Sequence, residues 1–293
     1  MLRLFKSFIF KITHDITFRI TVIVGAGVAI FMAVLFALMQ NMDDVVRINA
    51  ELAESGTDVR VKCLSGPSML LNSVSPVQNF GIAIPVNLIS FVCLEFSQGV
   101  IRNKIISGHS KIRIYFSLLI SGLIFTFILL GVYLGICTLL GTIFGGFNLK
   151  DLAYLQFGYA QVDAAHIGKI LLVCAVTYIS IVSFALFIAT LFRTVGPCIP
   201  IVMVILMLCY LSGTIISALL LVSGDGSGFD PIIQVLKIVN PLFAISGGTV
   251  IDMDNMVASM PNDTFFWAIG NNLFYAITFT GLGVLIFAKR DVK

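Results

Sequence analysis

This chain is short of charge: only 11% of its 293 residues are Asp, Glu, Lys or Arg, against 58% that are hydrophobic. With a mean hydropathy of +1.04, that shortage excludes an ordinary soluble domain. The net charge of +3 is too small and too dispersed for a nucleic-acid footprint, so no nucleic-acid partner is expected. A Gly-x-x-x-x-Gly-Lys-Ser/Thr loop is missing, which leaves nothing to cradle nucleotide phosphates, and any ATP hydrolysis must occur on another chain. Histidine is nearly absent. His14, His109 and His166 fall on separate segments, no His-Glu-x-x-His occurs, and no pair of carboxylates lies inside an apolar stretch. Catalytic residues, a metal site and a bound cofactor are therefore not expected on this chain. Of six cysteines only Cys63 lies in a large polar connection, which rules out an external disulfide framework within one chain. There is also no sustained repeat and no inverted symmetry between halves, which argues against the inverted-repeat transporters.

What the chain does have is long apolar runs. Six stretches, residues 20–39, 79–94, 114–140, 170–192, 195–222 and 264–288, are free of charge, and about 20 helical residues cross a hydrocarbon core of ~30 Å. Helix is the expected form, because lipid offers no partner to an unpaired backbone group. The first 19 residues are too long and too basic for a simple leader, so residues 20–39 are expected to stay as a true span. Six crossings place both termini on one side, and the cations choose which. Arg3, Lys6, Lys11, Arg19, Arg102, Lys104, Lys111, Arg113, Arg193, Lys289, Arg290 and Lys293 all fall on the terminus side, leaving six of the 18 for the other. The positive-inside rule then makes the termini cytoplasmic and the protein a multi-pass resident of the cell membrane.

Four connections stand out. Residues 1–19 carry an apolar face (Leu2, Phe5, Phe8, Ile9, Ile12, Ile16) opposite Arg3, Ser7, Lys11, His14 and Asp15. That is an interfacial helix on anionic headgroups or a frayed basic flank of the first span. Residues 40–78 read as a polar external loop with a short helix around 45–53. The turn at 193–197 is short, so its two spans are antiparallel neighbours, and Pro200 sits in the first turns of the fifth, where a missing amide is tolerated. Residues 224–263 are external yet apolar. Asp230 and Pro231 open a helix over 232–239 that Asn240 and Pro241 break, and at ~1.5 Å per residue it reaches about 13 Å, too short to span. It is a re-entrant hairpin or an apolar loop packed on the helix tops.

The richest stretch runs from Glu95 to Tyr115, where Val100, Ile101 and Ile105 are interleaved with Arg102, Lys104, Lys111 and Arg113. Glu95, at the end of its span, is read as a cap or an ion-pair partner. Asn87 in the second span must face another helix or a polar cavity. Ser212, Thr214 and Ser217 beside Gly213 form a small, weakly polar patch in the fifth span, suited to close helix approach or to substrate contact.

Taken in order, the basic N-terminal amphipathic segment, the run Glu95-x3-Gly99-x-Ile101-Arg102-Asn103-Lys104 to His109-Ser110, the Asn240-Pro241 region and the closing Phe287-Ala-Lys289-Arg290-Asp291 resemble an ABC-2 type permease. This is the membrane subunit of an ABC exporter with the type V, ABCG-like fold, and the likeness covers essentially the whole chain. It implies an all-α membrane protein with six transmembrane helices and an N-terminal interfacial helix. It also implies a coupling helix over residues 98–112 between helices two and three, and short re-entrant helices before helix six. The family assigns Gly99, Ile101, Arg102, Asn103, Lys104, Ile105, Gly108 and His109 to the element that docks on a cytosolic ATPase. Ile101 and Ile105 would be its apolar anchors, and Gly108 its left-handed stop. Two ATPase copies carrying ATP and Mg, and a second permease subunit, identical or not, would complete the transporter within the lipid bilayer. Spans two and five, with Asn87, Ser212, Thr214 and Ser217, would line the pathway. Asn240 and Pro241 would belong to an external gate. The loop after span one is longer than in many relatives. The expected function is outward movement of an amphipathic peptide, lipid or drug-like solute; a secondary transporter or channel without an ATPase is the rival.

Overall fold

Apolar runs bounded by caps and glycines set the element boundaries, seen here in a computed structural model that describes residues 16–54, 56, 59–74, 82–155, 158–223, 239–242, 249–252 and 256–289. The interfacial segment, most of the stretch read as re-entrant, and the last basic residues lie outside the described residues. In chain order the elements are α1 (Ile16–Gln40), α2 (Asp43–Glu54), β1 (Val61–Lys62), α3 (Gly66–Ser73), α4 (Ala83–Ser97), α5 (Val100–Ile106) and α6 (Lys111–Gly145). There follow β2 (Leu152–Leu155), β3 (Gly158–Val162), α7 (Ala164–Phe192), α8 (Val195–Ser223), β4 (Val250–Asp252), β5 (Val257–Ser259) and α9 (Asn262–Lys289).

α1, α6, α7, α8 and α9 are each long and apolar enough to cross a membrane, and α4 joined to α5 adds a sixth such unit. The protein is thus a helical, multi-pass membrane protein. α7 is its central helix: 67% of its most apolar window is buried, against 22–33% in the other four. Packing around it is aromatic, with Phe184 and Phe279 centroids 4.9 Å apart between α7 and α9. At 35 residues, α6 extends about 52 Å, so it must tilt or stand clear of a ~30 Å core.

The second span departs from expectation. α4 has 15 residues, or about 22 Å, and the chain then bends by 56° into α5. The bend has a local cause: Gly99 takes φ +67, a left-handed conformation that glycine enters without steric cost and that ends the first helix. The expected helix over 98–112 is correspondingly shorter. α5 has only seven residues because Gly108, at φ +89, closes it with a Schellman pair, His109 N–H to Lys104 O at 3.2 Å and Gly108 N–H to Ile105 O at 3.0 Å. Ser110 then caps α6, its Oγ accepting from Arg113 N–H at 3.4 Å.

Residues 40–78 are more than a loop. Asp43 and Asp44 open α2, where carboxylates suit the positive helix end, and Val45, Ile48 and Leu52 turn its apolar side inward. Ser65 caps α3, with Pro67 in its first turn. Between them runs β1, the edge of a five-stranded sheet in the order β1-β2-β3-β5-β4, an element the alternation-poor sequence did not announce. β1 pairs in parallel with β2, and β3 in parallel with β5. The three connections that follow α1, follow α6 and precede α9 therefore share one end of the bundle. The outer edge of β1 is closed by side chains: Asn49 exchanges two hydrogen bonds with the Val61 backbone (2.7 and 3.2 Å), while Gln40 bonds Val61 O and Cys63 N (3.0 and 2.6 Å). Gly141 and Gly145 let this cap sit directly on α6, since a Cβ at Gly141 would stand 2.5 Å from the Ser65 carbonyl oxygen and one at Gly145 would strike that of Leu64.

Candidate functional site

The opposite end of the bundle carries the α4–α5 elbow. Its inward side is fixed by packing and charge. Ile101 is 0% exposed and belongs to the main core, and Ile105 packs half-buried against the same cluster. Ile101, expected as an apolar anchor for a partner, thus has its side chain spent inside the chain, whereas Ile105 keeps part of its surface outside. Lys104 is likewise no free rim cation: its Nζ lies 3.4 Å from Oε2 of Glu95, whose side chain is fully buried. Glu95 is thus an ion-pair partner, as its position at the end of the span suggested.

Around the elbow, Arg193 holds its guanidinium 5.5 Å above the Phe96 ring, and Phe96 meets Phe287 of α9 edge-on at 6.0 Å. Lys111 donates to the Ala288 carbonyl at 3.1 Å, a cation on the negative end of α9. What remains outside is a contiguous polar strip of Arg102, Asn103, Ser107, Gly108 and His109 with one large apolar side chain, Ile106, 73% exposed. Sequence reasoning passed over Ile106. A helix opened by Gly99 puts Ile101 and Ile105 on one face and Ile106 a quarter-turn away, but that phase cannot be known before the glycine's conformation is.

A second polar cluster lies inside the bundle, where Asn240, Pro241 and Ser212 of the expected site come together. Asn240 donates through Nδ2 to the Cys209 carbonyl at 2.6 Å and to Ser212 Oγ at 3.1 Å. Its Oδ1 accepts from Leu242 N–H at 2.9 Å, an Asx turn spanning Pro241. Cys209 is at the midpoint of the 29 residues of α8, so this turn sits deep against the helix. From the other side Asn272 of α9 donates to the Pro241 carbonyl at 3.0 Å, and Tyr275 donates to the Val239 carbonyl at 2.8 Å. Asn272 is 1% exposed and its Oδ1 has no hydrogen-bond partner among the described residues. Sequence reading missed it, although an amide in an otherwise apolar span is the signal that picked out Asn87.

Asn87 and Thr214 do not join this cluster. Each hydrogen-bonds within its own helix, Asn87 to Ala83 O at 2.8 Å and Thr214 to Leu211 O at 2.9 Å. The side chain of Ser217 lies outside the described residues. The first cluster is thus a polar strip around one exposed isoleucine, the second a hydrogen-bonded plug between helices. Compared with protein-family profiles and with characterised proteins, the chain finds no match.

Proposed function

We propose that this chain is the membrane subunit of an ATP-driven exporter of the ABC-2 type, with the elbow end and both termini in the cytosol and the sheet outside. The observation that carries the reading is the two-sidedness of α5. One side is locked to α4 and the core by Ile101 and the Glu95–Lys104 pair, and the other offers Ile106 among Arg102, Asn103 and His109 to a partner. An element of that kind transmits force, because a push on its outer side must move α4. An ATPase groove that received it would pair acids with the cations and an apolar pocket with Ile106.

From α4 a contiguous path leads inward. Cys93 of α4 touches Cys198 in the first turn of α8, Sγ to Sγ 3.9 Å, and α8 carries Cys209 and Ser212, to which the Asn240 turn is bound. In this reading the Asn240–Pro241 turn belongs to an external gate. Closure of two partner ATPases, which hold the ATP and Mg, shifts α4 and α8 and releases that turn, a switch between two packings. Two permease chains would enclose the route of an amphipathic solute leaving the cell.

Ile106→Asp tests this directly. The side chain faces solvent, so the variant should insert and fold like wild type while ATPase co-purification and substrate-stimulated hydrolysis in proteoliposomes fall to background, and Arg102→Glu should weaken both. Ile101→Asp, in contrast, should fail to fold, because it buries a carboxylate in the core. Undiminished coupling in Ile106→Asp, or transport by the chain alone, would instead favour a secondary transporter or channel.

A further inference from the structure

An open cleft of about 730 Å³ lies at the sheet end, between the last turn of α1, α2, β1 and the end of α6. Its size is that of a small-molecule site. The walls are apolar, formed by Ala37, Ala50, Leu64 and Phe144, and the polar rim holds two cations, Arg60 and Lys62, with no acid among the described residues of the lining. α2 has carboxylates, but Asp43, Asp44, Glu51 and Glu54 all lie outside that lining.

The two cations differ. Lys62 is neutralised by Asp151, Nζ to Oδ2 2.9 Å. Arg60 is exposed and has no ion pair among the described residues, yet its backbone is held fast: Leu152 N–H donates to its carbonyl at 2.9 Å, and the next residue, Val61, is clamped by Asn49. A guanidinium mounted just before a fixed strand, above apolar walls and with no ion pair among the described residues, is short of an anion.

Position decides what kind. Ala37 and Phe144 stand within a turn of the ends of two spans, where headgroups meet hydrocarbon. Phe144, Ile143 and Leu38, beside the cleft, are 69%, 67% and 62% exposed, a surface for acyl chains rather than for water. We infer that this cleft binds an anionic amphiphile, with its phosphate or carboxylate on Arg60 and the start of its chain along Ala37, Leu64 and Phe144. The inference is independent of the exporter reading, since it concerns the isolated chain.

The experiment is native mass spectrometry of the purified full-length protein offered dioleoyl phosphatidylglycerol, dioleoyl phosphatidylcholine or dodecyl phosphate. Wild type should retain the anionic probes over the zwitterionic lipid, and the better retained of the two tells whether a bilayer lipid or a freely exchanging amphiphile is preferred. Loss of one charge-assisted contact in Arg60→Glu should lower retention roughly tenfold, and Arg60→Lys should keep part of it. Ala50→Trp, on an exposed position of α2, should block the cleft without disturbing the fold. Equal retention of all three probes by wild type, or wild-type retention by both Arg60→Glu and Ala50→Trp, would overturn the assignment.

Discussion

The ammonium of Lys104 reaches back across the elbow to within 3.4 Å of the Glu95 carboxylate, which has no exposed surface at all. The pair therefore reports on the bend itself. Lys104→Met should cost about 3 kcal/mol by removing the cation from a buried carboxylate, whereas Arg102→Met, from an exposed position, should cost little. Thermal unfolding in detergent measures both. Adding Glu95→Gln to Lys104→Met should recover most of the loss, and the absence of recovery would mean that the two charges do not act as a pair.

Gly283 of α9 and Tyr115 of α6 form a second testable contact. A Cβ at Gly283 would collide with the Tyr115 hydroxyl and stand 2.7 Å from Cζ. Gly283→Ala should thus destabilise by roughly 1–3 kcal/mol through overpacking. Tyr115→Phe alone should be near neutral, because the buried hydroxyl has no hydrogen-bond partner among the described residues. In the double variant part of the Gly283→Ala loss should return, and a double-mutant cycle on melting temperatures gives that coupling.

The plug between α8 and α9 predicts a graded series. Asn272→Leu removes the donor to Pro241 O and should cost ~1 kcal/mol, the usual scale of interhelical hydrogen bonds in membranes. Asn272→Asp places a carboxylate at a position that is 1% exposed and should cost several times more. Protease sensitivity of the segment around Asn240 should rise in the same order.

Cys63 sits beside β1 with no exposure, and burial pushes its thiol from the ordinary 9 up to about 11. Between pH 7 and 9 the native thiol should resist maleimide and react only after denaturation. Because the folded value is the raised one, the contribution is fully present below pH 9 and is lost as pH climbs toward 11, so the protein should become less stable across that window. A topology assay therefore needs a cysteine elsewhere, for example at Met256, which is 47% exposed.

Much of the architecture was readable because lipid imposes a simple rule on sequence: uncharged runs of sufficient length became helices, and the short turn at Arg193 made α7 and α8 neighbours. Gly108 was legible as a left-handed stop and is one, but the left-handed turn at Gly99 was not, and it sets the phase that buries Ile101 and exposes Ile106. The sheet was hidden because its strands run to two to five residues, too short for alternation to register. Gly141 and Gly145, four residues apart, did carry a small-residue spacing for close approach; what approaches is the Leu64–Ser65 backbone rather than another helix. Asn240 and Ser212 were singled out separately, but nothing in one chain's sequence says that they meet.

The strand order also dictates a sequence of events at synthesis. β2 can find β1 once α6 has been made, but β3 has no parallel neighbour until the ribosome has delivered β5, which immediately precedes α9. Domains assemble as they emerge, and an unpaired strand edge is an invitation to aggregate. A nascent chain stalled before β5 would leave the β3 edge uncovered, a visible mark of incompleteness for proteases on that side of the membrane. Closing the sheet thus certifies that synthesis has reached the threshold of the last helix, and chains truncated before β5 should be degraded faster than full-length chains with damaged elbows.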